Sequence, residues 1–97
     1  MSRAATDNSH LEAKVLLRVN HLPETDPVRV LDCFHGYGVV WNDVILRCPD
    51  RKILVTGIDE RRGLPGSYLV GDNRKFLSSM DLSPFDVIDL DAYGVPC

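Results

Sequence analysis

At 97 residues, with 44% apolar and 26% charged side chains, the chain has the composition of one soluble globular domain, and two domains are excluded. A domain of this size buries roughly 60 to 65% of the surface of its extended chain, enough for a real core. The net charge of −3 argues against a general nucleic-acid-coating or anionic-membrane surface and leaves only a local basic patch open.

Residues 1–22 read as an N-terminal segment, partly helical or disordered, in which Met1 to Asn8 is small, polar and frayed. In "SHLEAKVLLRVNHL", Ser9 and Glu12 have capping-box spacing, and Leu11, Val15, Leu16 and Val19 follow at roughly helical intervals. The alternation in "KVLLRV" also allows a strand, so both forms stand. "PETDP" is a connector, because its prolines and acids offer regular structure no apolar face. Val28 to Phe34 is a short aliphatic run bounded by Pro27 and the Gly36/Gly38 turn, which predicts a buried first strand. Val39 to Arg47 then places Val40 and Val44, with Trp41 and Leu46, on a helical face that ends at Cys48-Pro49-Asp50.

"KILVTGID", Lys52 to Asp59, is a second strand of the same kind, and a strand that returns after one crossover helix normally runs parallel to the first. Glu60 to Ser67 leaves no room for a full helix and predicts an irregular crossover. "SYLVGD" is a short third strand, and "NRKFLSSM" makes two helical turns with Phe76, Leu77 and Met80 inward and Asp72 as N-cap. Phe85 to Leu90 is the fourth strand. The predicted fold class is α/β, Rossmann-like, with about four mainly parallel strands and flanking helices over residues 28–97.

Cys33, Cys48 and Cys97 are odd in number and lack paired spacing, and no basic-apolar-small signal opens the chain. Disulfides and secretion are therefore disfavoured, and the cytoplasm is the expected location. No apolar run approaches the roughly 18 residues of a spanning helix.

Ligands of an open parallel sheet bind outside the carboxyl ends of its strands. The residues that fall there are Asp32, Gly36 and Gly38 after the first strand, Asp59 and Glu60 after the second, Asp72 and Asn73 after the third, and Asp89, Asp91 and Tyr93 at the fourth. Taken singly, each has a bland reading as a turn glycine, a strand end or a helix cap. Their joint placement suggests a cofactor rim. A dinucleotide fingerprint needs a third glycine where this chain has Trp41, and an indole there holds the helix away from a pyrophosphate. A rim rich in carboxylates instead suits a ligand bearing sulfonium and ammonium groups, such as S-adenosylmethionine.

From Val28 onward the chain resembles the class I S-adenosylmethionine-dependent methyltransferases. "VLDCFHGYGVVW" is similar to their first motif, although His35 stands where the family more often has a small residue; the resemblance assigns Asp32, Gly36 and Gly38 to the methionine part of the cofactor. "VTGIDE" resembles the second motif and implies that Asp59 binds the ribose hydroxyls, a role a carboxylate can fill by accepting from both. "VGDNRKFL" resembles the third, which implies Asp72 at the adenine amino group and Asn73 beside the ring. The missing helix between Asp59 and Tyr68 departs from the pattern and leaves one sheet face thinly covered.

"FDVIDLDAYGVP" resembles the Asp-x-Asp-Pro-aromatic-Gly-x-Pro loop of the tRNA guanine-N2 dimethyltransferases and related phage or bacterial methylases, with Ala92 in place of the first proline. That resemblance implies a tRNA or DNA acceptor. Methyl transfer to an exocyclic amine requires a group that takes a proton as charge develops, which implies Asp91 ahead of Asp89, with Tyr93 stacking on the base. The bland alternative is that "DLDAYG" ends a strand in a turn. Pro96-Cys97 also resembles the nucleophile of cytosine-5 methyltransferases, but a terminal thiol beside a free carboxylate is poorly activated and this reading ranks lower. A metal site is not expected, since no paired ligand spacing exists.

The family's complete sheet has seven strands, so the expectation is a cofactor-binding portion that does not turn over alone. A non-catalytic nucleotide-binding or assembly module is the alternative. The fourth strand would then be an exposed edge with apolar Val87, Ile88 and Leu90, which predicts a homodimer along it.

Overall fold

The computed structural model describes residues 2–90, with side chains from His10 onward. The short aliphatic runs become strands and the periodic runs helices, in the order α1 (Ser2–Asn20), β1 (Val28–Asp32), α2 (Val39–Arg47), β2 (Ile53–Asp59), β3 (Tyr68–Val70), α3 (Asn73–Ser79) and β4 (Val87–Asp89). All four strands pair in parallel in one sheet of order β3-β2-β1-β4. The α/β, Rossmann-like class expected from the sequence is therefore the class observed. β1 stops at Asp32 rather than Phe34, and β4 occupies only the middle of the run from Phe85 to Leu90.

Alternation along each strand divides the core in two. Val28 and Val30 on β1, and Ile53 on β2, face the side on which α1 and α2 pack, and they enclose Val15, Trp41 and Val44. Leu31, Cys33 and Ile58 face the other side, where α3 and the segment after it contribute Phe76, Leu77, Met80, Leu82 and Phe85. This second face is covered by a helix of only seven residues. Leu54 and Ile88 on this thinly covered face stay partly exposed.

The N-terminal segment is helical, and the strand alternative falls. Helix α1 starts at Ser2, well ahead of the Ser9 capping box, because Ala4 and Ala5 favour helix and extend it backward. Its apolar stripe of Leu11, Val15 and Val19 lies against the core, with Val15 fully buried at a gain of roughly 1.5–3 kcal/mol. The exposed Arg47 fork to Glu12, at 2.9 and 2.5 Å, ties α2 to α1. The connector after α1 is held by Arg51, whose Nη2 donates to the carbonyls of Pro23 and Thr25, and it includes a cis Asp26–Pro27 bond.

Candidate functional site

The chain leaves β1 and must reverse into α2 within a few residues. The Asp32 carboxylate accepts from the Phe34 amide at 3.2 Å and starts the turn. His35 N–H donates to the Ile58 carbonyl at 3.0 Å and fastens it to β2. Gly36 and Gly38 take φ of 54° and 74°, where any Cβ is strained, and Gly38 forms the N-cap of α2 without a capping side chain. The Gly36 N–H donates to Asp59 Oδ2 at 2.9 Å. The end of β2 therefore clamps the glycine turn of β1.

The chain runs outward from β1 through β2 to β3 and then returns to lay β4 on the opposite side of β1. That reversal opens a crevice beyond the carboxyl ends of β1 and β4, the place where open α/β sheets bind ligands. A small cleft, open to solvent, lies here. Asp32, Phe34, His35, Gly36 and Tyr37 form one wall, Val39 and Val40 of α2 a second, Lys14 and Arg18 of α1 a third, and Asp89 and Arg61 complete it.

Asp89, on β4, does not face the cleft as an open carboxylate. Arg18 grips it with Nε to Oδ2 at 2.7 Å and Nη2 to Oδ1 at 3.0 Å, and the Trp41 indole donates to Oδ2 at 2.7 Å. The Arg18 and Asp89 side chains are only 12% and 9% exposed. Trp41, which stands where a dinucleotide fold has its third glycine, is 3% exposed and fills the helix–sheet interface.

Asp32 is paired in register with Asp89 on the neighbouring strand and is only 7% exposed. Burial pushes its carboxyl up to about 6, and the Asp89 charge adds to that against the lowering effect of the Phe34 amide. The buried Cys33 thiol is pushed up to about 11, first by burial and then by the two carboxylates, so it is inert.

The segment between β2 and β3 folds back over the turn. Tyr68 donates its hydroxyl to the Arg61 carbonyl at 2.7 Å and accepts from the Leu64 amide at 3.0 Å. Its ring stacks on His35 with centroids 4.7 Å apart. His35 Nε2 lies 2.7 Å from the Pro65 carbonyl, which can only accept, so Nε2 carries the proton. The imidazole fits because residue 57 is glycine: a Cβ there would come within 2.4 Å of Nδ1. Arg61 reaches back to Asp59 with Nε to Oδ1 and Nη2 to Oδ2, both at 3.0 Å. The guanidinium beside Asp59 holds that carboxyl far below the usual carboxylate range.

Of the residues expected at the rim, Asp32, Gly36 and Asp89 line the cleft, and Asp59 touches it through Gly36 and Arg61. Asp72 caps α3, its carboxylate accepting from the Arg74 amide at 2.8 Å, and Asn73 donates its side-chain amide to the Cys33 carbonyl at 3.0 Å. Neither lines the cleft. Asp91, Tyr93 and Cys97 lie outside the described residues. Lys14, Arg18 and Arg61 were missed, so the wall carries three cations as well as the acids. A signal for two of them was present: Lys14 and Arg18 are four apart, on the flank of the α1 apolar stripe.

Among the described residues no three His, Cys, Asp or Glu side chains converge as a metal site requires, and no helix is long and apolar enough to cross a membrane. No protein-family model matches the chain, and no curated protein or solved structure matches it either.

Proposed function

We propose that this chain is the S-adenosylmethionine-binding portion of a methyltransferase that acts on the exocyclic amine of a base in tRNA or DNA. The observation that carries the reading is the Asp59 carboxylate at the end of β2, fastened to the Gly36 amide beside a cleft at the strand-order reversal. A ribose diol bonds a carboxylate so placed, while the buried Trp41 disfavours a dinucleotide. The cations also have a role in this reading. An α-amino carboxylate presents both signs of charge, and the cleft wall likewise carries both, with Asp32 beside Lys14, Arg18 and Arg61.

The chemistry supplied by the cofactor when bound is an electrophilic methyl group. In this reading the protein orients the acceptor amine and takes its proton. Asp89 is engaged by Arg18 and Trp41, so it acts as a positioning residue, and the proton-accepting role goes to Asp91 with Tyr93 against the base. The acceptor class rests on the resemblance of "FDVIDLDAYGVP". The free thiols of Cys33 and Cys48 are consistent with a reducing compartment, and we place the protein in the cytoplasm.

Calorimetric titration with S-adenosylhomocysteine tests the reading. Saturable binding is expected, with Asp59→Asn weakening it at least about tenfold, since the amide keeps an acceptor for Gly36 but presents a donor to the diol. Tighter binding of a nucleoside phosphate than of S-adenosylhomocysteine would instead support a non-catalytic nucleotide-binding module.

The reading extends to a two-fold dimer. β4 is an edge among the described residues, and Ile88 and Leu90 are exposed along it, with neither lysine nor proline on the strand to blunt pairing. Antiparallel pairing of two such edges covers the same patch on both copies. Sedimentation over a range of concentrations should show a monomer–dimer equilibrium that Ile88→Lys abolishes, and a single monomeric species throughout would dismiss the dimer.

A further inference from the structure

The Asp59 carboxylate has about four acceptor sites, two on each oxygen. All four are taken. Oδ1 accepts from the Arg61 amide and from Arg61 Nε, both at 3.0 Å, and Oδ2 accepts from the Gly36 amide at 2.9 Å and from Arg61 Nη2 at 3.0 Å. Two of these donors are backbone groups fixed by the turn and by the end of β2. The other two belong to one guanidinium fork. Lifting the fork away frees one site on each oxygen and leaves both backbone donors to hold the carboxylate in place. Two acceptor sites, one per oxygen, is the pattern that a vicinal diol requires.

We propose that the Arg61 guanidinium is a resident stand-in for the ligand's vicinal diol, occupying its place on Asp59 until a ribose displaces it; the inference rests on the cofactor reading above. The exchange conserves hydrogen bonds, two N–H donors leaving as two O–H donors arrive. It needs little rearrangement, because the Arg61 side chain is 58% exposed while Asp59 is 9% exposed, so the arginine swings into water and the carboxylate stays put. The device also protects the turn. With the fork in place, Asp59 remains ionised and bonded to Gly36, so the glycine turn keeps its shape when no ligand is bound.

Calorimetric titration of the wild type, Arg61→Ala and Arg61→Lys with adenosine, 2′,3′-dideoxyadenosine and S-adenosylhomocysteine tests the exchange. Arg61→Ala should bind adenosine about two- to fivefold more tightly than the wild type, which is the strength of an exposed ion pair, with Arg61→Lys between them. The dideoxynucleoside should show no gain. A measurement that needs no variant gives the same answer: adenosine is neutral, so its affinity for the wild type should rise between about 0.05 and 0.5 M salt as the pair is screened. An equal gain for the dideoxynucleoside, or adenosine binding that is unchanged or weaker in Arg61→Ala, overturns the exchange and leaves the cofactor reading intact if S-adenosylhomocysteine still binds. Failure of every chain to bind S-adenosylhomocysteine overturns both.

Discussion

Arg18→Ala is expected to destabilise the fold by about 3–5 kcal/mol, the loss seen when one partner of a buried ion pair is removed. Two features make this pair expensive to break. Both side chains are nearly buried, at 12% and 9% exposed, and the guanidinium meets the carboxylate as a fork at 2.7 and 3.0 Å. Removing it takes the guanidinium from Asp89, which then stands beside Asp32 on the next strand with the Trp41 indole still donating to it. Thermal unfolding should shift down by at least about 12 °C, since each kcal/mol moves a domain of this size by about 4–8 °C. The double variant Arg18→Met/Asp89→Leu removes both charges and should be more stable than Arg18→Ala, short of the wild type by about 1–3 kcal/mol because the Trp41 indole N–H loses its acceptor. A loss below about 1 kcal/mol for Arg18→Ala would mean that the pair behaves as a solvated surface contact.

Asp32→Asn should raise stability by about 3 kcal/mol at pH 7 and by almost nothing at pH 4. The folded carboxyl titrates at about 6 against an ordinary value of 3.8, so between those values the native state binds more protons than the unfolded chain. Stability therefore falls as pH rises through this window and levels off above it, by an amount near 1.4 kcal/mol for each unit of difference. The lowered carboxyls of Glu12, Asp59, Asp72 and Asp81 act in the opposite sense, their contributions being lost as pH falls through the ordinary carboxylate range. These groups are common to both proteins and cancel in the difference between them. Urea titrations of both proteins from pH 4 to 8 should diverge only as pH rises toward 6, and parallel curves would mean that Asp32 is solvated. The same ionisation bears on function: a ligand that brings an ammonium group to Asp32 should bind more tightly above pH 6 than below it.

Much of this molecule was legible locally, because short-range rules decide short-range structure. Val28 to Asp32 and Ile53 to Asp59 are aliphatic runs between turn residues, and a βαβ order leaves few ways to pair them. Gly36 and Gly38 announced a turn with positive φ. Asp72 announced the cap of α3, since a short polar side chain ahead of a helix has one obvious donor within reach. Trp41, a large apolar side chain in the first turn of α2, packs against the sheet as its size demands.

The contents of the cleft were a different matter. Alternation put Asp89 on the rim as an acid, yet its chemistry is set by Arg18, 71 residues away in the chain, and by the Trp41 indole, 48 away. Arg61 looked like part of a polar loop until the turn at Gly36 brought its fork and Asp59 together. His35 was an oddity in a glycine turn until Gly57 and Tyr68 made room for it on the next strands. The sequence by itself determined the strands and the turn, because these depend on residue size, branching and spacing. Only the tertiary structure decided which charges meet and what the Asp32 carboxyl does at pH 6, because Coulomb energy and desolvation depend on distance and burial, which no local pattern encodes.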